Sequence, residues 1–180
     1  MMRSTLALGA ALALTALAAS AADAQQQEAN KKAVVEFYVR ELGLEYPVDS
    51  VVIAAGARPL IYATYKTLVD AGDKVLFPVP SWNNNHYCHL SGAQAIMVET
   101  TAESNFMPVA DQLRPYIHEA RMLALCSPLN PTGTVFSKKQ LEEICDLVVE
   151  ENKRRSSDQK PLYLMYDQIY SVLCHGDAKH

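Results

Sequence analysis

Apolar and polar positions along this chain repeat with a period that switches back and forth, and each switch marks an element. From Val34 to Leu42 the residues Val34, Val35, Tyr38, Val39 and Leu42 recur at helical spacing, and Gly43 follows where a helix is commonly closed. "SVVIAA", residues 50–55, is instead a short apolar run, the composition of a strand buried on both faces. Helical spacing returns over 58–72, with Pro59 tolerated in the first turn and Gly72 ending it. "DKVLFPVP" (73–80) reads as a strand stopped by prolines, 82–92 as a short helix and "AQAIMVET" (93–100) as a strand. Residues 108–120 carry a helical pattern interrupted by Pro115, and "RMLALCS" (121–127) is a strand. The strongest helix spans 137–152, capped by Ser137, with Leu141, Ile144, Cys145 and Val148 on one face. "PLYLMYDQIY" (161–170) is a final strand running into a polar loop.

Five strand candidates alternating with helices predict an α/β fold, a mostly parallel sheet in a three-layer α/β/α sandwich. Such sheets bind ligands beyond the carboxyl ends of their strands, often where the strand order reverses. The predicted strand ends carry "AAGARP", "PVPSW", "SPLNPTG" and "YDQIY", so chemistry is expected there.

Composition supports a folded chain: of 180 residues, 49% are hydrophobic and 20% charged. A net charge of -4 gives no electrostatic reason to expect nucleic acid, and "KRR" at 153–155 reads as a solvated helix end. The start is a separate object. "MMRSTLALGAALALTALAASAADA" has a short basic head, an apolar Leu/Ala run and small residues before Gln25, the layout of a secretory signal. Residues 1–24 are therefore expected to be a signal-like segment and 25–180 the folded domain, with no stable membrane span and with export to the periplasm or beyond if the signal functions. Cys88, Cys126, Cys145 and Cys174 show no CxxC spacing and are expected to be reduced core thiols. "KRRSSDQK" (153–160) is a surface loop rather than a domain boundary.

Each strand end admits a functional and a plain reading. Gly56, Ala57 and Arg58 lie between a strand and a helix, where free N–H groups and the helix dipole favour an anion, or where a turn merely exposes an arginine. Trp82, the only tryptophan, either stacks on a flat ring at a site mouth or packs in the core. Pro131 restricts Asn130 and Gly133 supplies positive φ, so Asn130 sits on a stiff turn suited to contacting a bound partner. Asp167 is either a turn former or a carboxylate beneath a cationic ring nitrogen, with Tyr170 in reach of a ring oxygen. His86 and His89 flank Cys88 without a further ligand, so no metal site is expected.

In this order the groups resemble the class I/II pyridoxal-phosphate-dependent aminotransferases, especially the aspartate aminotransferase group, with "SPLNPTG" and the later "D-x-I-Y" carrying the likeness from about Asn30 onward. The resemblance implies part of the large domain of that fold. It implies pyridoxal 5'-phosphate as cofactor: phosphate on Gly56, Ala57 and Arg58, the ring stacked by Trp82, its phenolic oxygen bonded by Asn130 and Tyr170, and its pyridine nitrogen paired with Asp167. It also implies an amino acid and a 2-oxo acid as substrates, a homodimer, and a cytoplasmic setting at odds with the signal-like start. Gln168 stands where many members have Glu. The family's Schiff-base lysine and substrate-binding arginine lie in later segments, and no lysine of this sequence is matched to that lysine. The expectation is therefore a fragment with no catalytic residue of its own, inactive unless completed. Its alternatives are a non-catalytic exported remnant or an α/β module binding some other anion.

Overall fold

A computed structural model describes residues 3–176, with side chains from Asp23 onward. The chain forms two compact units, Met1–Leu60 and Ile61–His180. In the first, helix α1 (Arg3–Leu42) ends as expected: Gly43 takes φ +66°, and its N–H donates to the Val39 carbonyl at 3.0 Å. The signal-like reading of 1–24 rests almost wholly on side chains outside the described residues. Among the described residues, no helix is long and apolar enough to cross a membrane.

After a short 3-10 turn at Val48–Ser50 the chain is extended at Val51 (φ −92°, ψ 125°), yet 51–54 forms no strand. This corrects the expected strand over 50–55. A β-branched run favours extended backbone, but a strand needs a neighbour to take up its N–H and C=O groups, and the one described sheet does not include it. Val52 accordingly remains 70% exposed.

Helix α2 (Ala57–Leu68) leads into the sheet unit, in which β1 (Lys74–Val79), α3 (Asn84–Ser91), β2 (Gln94–Glu99), α4 (Ala110–Ile117), β3 (Ala120–Cys126), α5 (Lys138–Arg154) and β4 (Tyr163–Asp167) follow in turn. The strands form one sheet in the order β2-β1-β3-β4, with all three pairings parallel. From β1 the chain steps outward to β2, then returns past β1 to β3 and continues to β4. Because crossovers between parallel strands are right-handed, this change of direction places α3 on one face and α4 and α5 on the other.

Side-chain alternation fills both faces. Val75 and Phe77 of β1 with Met122 and Ala124 of β3 pack against Tyr65, Val69, Tyr87 and Cys88 from the α2 and α3 side. Leu76, Leu123 and Leu125 point the other way, onto Leu113 and Ile117 of α4 and Ile144, Leu147 and Val148 of α5. The central strands are buried on both faces, as their unbroken apolar runs require. The result is the three-layer α/β/α architecture expected.

Two finer expectations fail. Cys145 is exposed, and Leu147 takes its place in the core stripe of α5, because the buried arc follows 144, 147 and 148. The "KRR" run is not a solvated end throughout. The Arg155 side chain is 10% exposed; its Nε donates to Glu151 Oε1 at 3.0 Å, and its fork donates to the carbonyls of Ile117, His118 and Ala120. It closes the C-terminal end of α4, whose last carbonyls have no partner within the helix.

Candidate functional site

The order reversal lies at β1 and β3, and the crevice beyond their carboxyl ends is where a doubly wound sheet offers a ligand site. Both adjacent loops carry groups singled out in the sequence. Trp82 follows the end of β1 and is 53% exposed, which rules out core packing. The other loop begins at Ser127, which is buried; its N–H donates to the Asp167 carbonyl at 3.0 Å, tying the end of β3 to the end of β4.

The "SPLNPTG" stretch is closed on itself. Gly133 N–H donates to the Leu129 carbonyl at 2.7 Å and Leu129 N–H to that of Thr134 at 2.8 Å, with Gly133 at φ +71°. The Ser127–Pro128 and Asn130–Pro131 peptide bonds are cis. Asn130 is half-buried, and its Nδ2 donates to the Tyr170 hydroxyl at 3.4 Å across forty residues of sequence.

Asp167 closes β4 opposite Cys126. Its Oδ1 accepts the Ile169 N–H at 3.0 Å, so the turn-former reading holds for one oxygen. An ionised carboxylate has two acceptor oxygens, which leaves capacity for a ligand N–H. Burial pushes the neighbouring Cys126 thiol up to about 11; a hydrogen bond from Asn130 N–H opposes this, and the Asp167 charge adds to it. Cys126 thus remains a neutral thiol beside the carboxylate.

The structure brings together Asn130, Asp167 and Tyr170, with Trp82 on the same sheet edge. Gly56, Ala57 and Arg58 form a separate set in the first unit: Gly56 has φ +110°, its N–H donates to the Ala54 carbonyl at 2.8 Å, and α2 starts at Ala57 with Arg58 exposed in its first turn. A helix start is, in general, where the dipole favours an anion.

Sequence reasoning passed over Ser127, although it opens the motif. Its Oγ accepts the Phe136 N–H at 3.4 Å, and it also bonds the Tyr166 hydroxyl, whose pKa is raised by burial despite that bond. A serine directly after an apolar strand, destined for full burial, was the available signal. Among the described residues no group of His, Cys, Asp and Glu is arranged to hold a metal; His86 Nδ1 lies 3.0 Å from Asn83 Oδ1 instead.

Four of the described lysines pair with carboxylates within the chain. Lys74 pairs with Glu119, and Lys138 and Lys139 each face a glutamate one turn on, Glu142 and Glu143 at 3.7 Å. Ser157 to Lys160 has bare S-x-x-K spacing, but Lys160 precedes β4 and bonds Asp70 and Asp73 at the amino-terminal edge, opposite the site. Lys179 lies outside the described residues.

A parallel sheet with polar groups gathered at its switch point defines a cofactor- or ligand-binding α/β domain. The profile of the family "Aminotransferase class I and II" matches residues 17–180, so the chain belongs to that family. It is 29% identical over 152 residues to an aspartate aminotransferase of Bacillus sp. (strain YM-2), covering 83% of this chain and 36% of that protein. Among solved structures it is similar to the aspartate aminotransferase from Thermus thermophilus with maleate (TM-score 0.75, 28% identity, covering 83% of this chain and 37% of that one). It is equally similar to an aromatic aminotransferase from Pyrococcus horikoshii OT3 (TM-score 0.74, 29% identity, 83% and 38%). The chain thus spans little more than a third of these relatives' length. Aminotransferases of this family depend on pyridoxal phosphate.

Proposed function

We propose that these residues form the cofactor-holding part of a pyridoxal-phosphate-dependent aminotransferase, which moves an amino group between an amino acid and a 2-oxo acid. The observation that carries this reading is the Asn130–Tyr170 pair at 3.4 Å, beside an Asp167 carboxylate with acceptor capacity to spare. The donor set fits the cofactor's chemistry: an anionic acceptor for a ring N–H, and an amide and a phenol that can share a ring oxygen. When bound, the cofactor supplies an electron sink. Asp167 holds the proton on the ring nitrogen, Asn130 and Tyr170 orient the ring through its oxygen, and Trp82 covers one ring face. On the family likeness alone, Gly56, Ala57 and Arg58 are proposed as the phosphate-binding residues.

The substrates, and a homodimer, are proposed on the family likeness; relatives named for aspartate and for aromatic substrates are equally similar, so the side chain of the amino acid is left open. No lysine here is matched to the family's Schiff-base lysine, and positioned proton transfer is worth about 10²- to 10⁴-fold. Amino transfer by these 180 residues alone is accordingly proposed to be slow or absent, whereas cofactor binding is not.

Titration of the full chain with pyridoxal phosphate, followed by ring absorbance, tests the reading. Saturable binding is expected, weakened about tenfold or more by Asp167→Asn, the scale of a lost hydrogen bond to a charged group. Unsaturable binding, or equal affinity in the variant, would reject it.

A further inference from the structure

Trp82 lies in the short link between β1 and α3. β1 has ended at Val79, α3 has not begun until Asn84, and the N-cap residue Asn83 has φ +60° with no capping bond from its side chain. The Trp82 ring is 53% exposed, so how closely its flanks are held bears on where the ring sits.

A buried relay holds the link on both sides of the ring. Tyr65, on α2 in the sheet unit, is fully buried and packs its ring 5.4 Å from that of Tyr87, in the cluster with Phe77 and Met122. Its hydroxyl donates to Asn84 Oδ1 at 2.9 Å, and Asn84 Nδ2 donates to Ser81 Oγ at 2.8 Å. Ser81 and Asn84 are the residues on either side of the Trp82–Asn83 pair. One amide therefore pins both flanks of the tryptophan and fastens them to an immobile core side chain. Burial raises the Tyr65 phenol far above its ordinary range, so it is always a donor, and a neutral amide answers it with its oxygen while its nitrogen faces the serine.

We propose that Tyr65 and Asn84 are positioning residues for Trp82, holding its ring ready to cover a flat ligand before that ligand arrives. The ligand half of this statement rests on the cofactor reading above; the positioning half does not. Ordering the loop in advance removes a cost that binding would otherwise bear, worth about five- to tenfold in affinity for one immobilised side chain.

Trp82 is the only tryptophan, so its emission in the full chain reports the loop directly. Asn84→Ala should raise acrylamide quenching of Trp82 by about twofold, lower its anisotropy, and weaken pyridoxal phosphate binding about five- to tenfold. Asn84→Asp can accept hydroxyls from both Tyr65 and Ser81 and, at a helix start, tolerates its charge, so it should restore quenching and anisotropy. Tyr65→Phe keeps the ring and should fall between. Unchanged quenching and anisotropy in Asn84→Ala, with native circular dichroism, overturns the proposal. If that variant does not fold, Ser81→Ala, which cuts only the last link, is read by the same two outcomes. A wild-type chain that fails to bind the cofactor, while its tryptophan still responds to Asn84→Ala, sinks the cofactor reading and leaves the positioning intact.

Discussion

Four cysteines that look alike in the sequence separate by surroundings. Cys88 and Cys126 are both pushed up to about 11, chiefly by burial, while Cys145 is exposed on α5, its thiol raised by its partial burial and by Asp146. A thiol with a pKa of 11 is about one part in a thousand thiolate at pH 8, and only the thiolate attacks an alkylating reagent. Iodoacetamide at pH 8 is therefore expected to modify Cys145 well before Cys88 or Cys126, as peptide mass spectrometry over a time course would show. Labelling of Cys126 at the rate of Cys145 would contradict the burial of the β3 end. The same contrast marks what could be read in advance. The placement of Asn130 beyond the end of β3 and of Asp167 at the end of β4 was legible because apolar runs stop just before them. Cys145 was misplaced because positions 144, 145 and 148 satisfy helical spacing as well as 144, 147 and 148 do, and only packing chooses between them.

Among elements, period and punctuation located α2 to α5, the last turns of α1 from Val34, and all four strands of the sheet, since alternation and apolar runs record burial directly. The segment at 50–55 failed for a reason no local pattern contains: strand formation depends on a partner elsewhere in the chain. Arg155 was misread on similar grounds. Its charge suggested solvent, yet it donates to the carbonyls of Ile117, His118 and Ala120, between α4 and the start of β3, while pairing with Glu151, whose side chain is 8% exposed. Arg155→Met would strand a buried carboxylate and remove the bonds to those carbonyls, a loss of about 3–5 kcal/mol. Urea unfolding should show that drop, and Arg155→Lys should recover only part of it, because an ammonium cannot span the same acceptors. A loss below about 1 kcal/mol would mean that the pair is solvated after all.

Across the sheet unit, the two edges divide the work. The carboxyl edge carries polar groups with capacity left for a ligand, whereas the amino edge is tied off by ion pairs within the chain. Lys160, ahead of β4, bonds Asp70 at 2.8 Å and Asp73 at 2.9 Å in the turn between α2 and β1, and so closes this edge across the sheet. Burial alone would raise the Asp73 pKa; the bonds from Lys160 and from the Asp70 N–H outweigh it, and the carboxyl is held below its ordinary range. A carboxyl with a lower pKa folded than unfolded binds fewer protons in the native state. Its contribution is thus present above the ordinary value of about 4 and is lost as the pH falls through the lowered one. Asp73→Asn should flatten the decline of stability below about pH 4, and Lys160→Met should do the same by letting the carboxyl return toward its unfolded value. Urea midpoints at pH 7 and pH 3 measure both, and parallel pH curves for variant and wild type would rule the tie out. Because this edge is the opposite one from Asn130, Asp167 and Trp82, Lys160→Met is expected to leave cofactor affinity unchanged. A matching fall in affinity would show instead that strain at the amino edge is transmitted along the strands to the site.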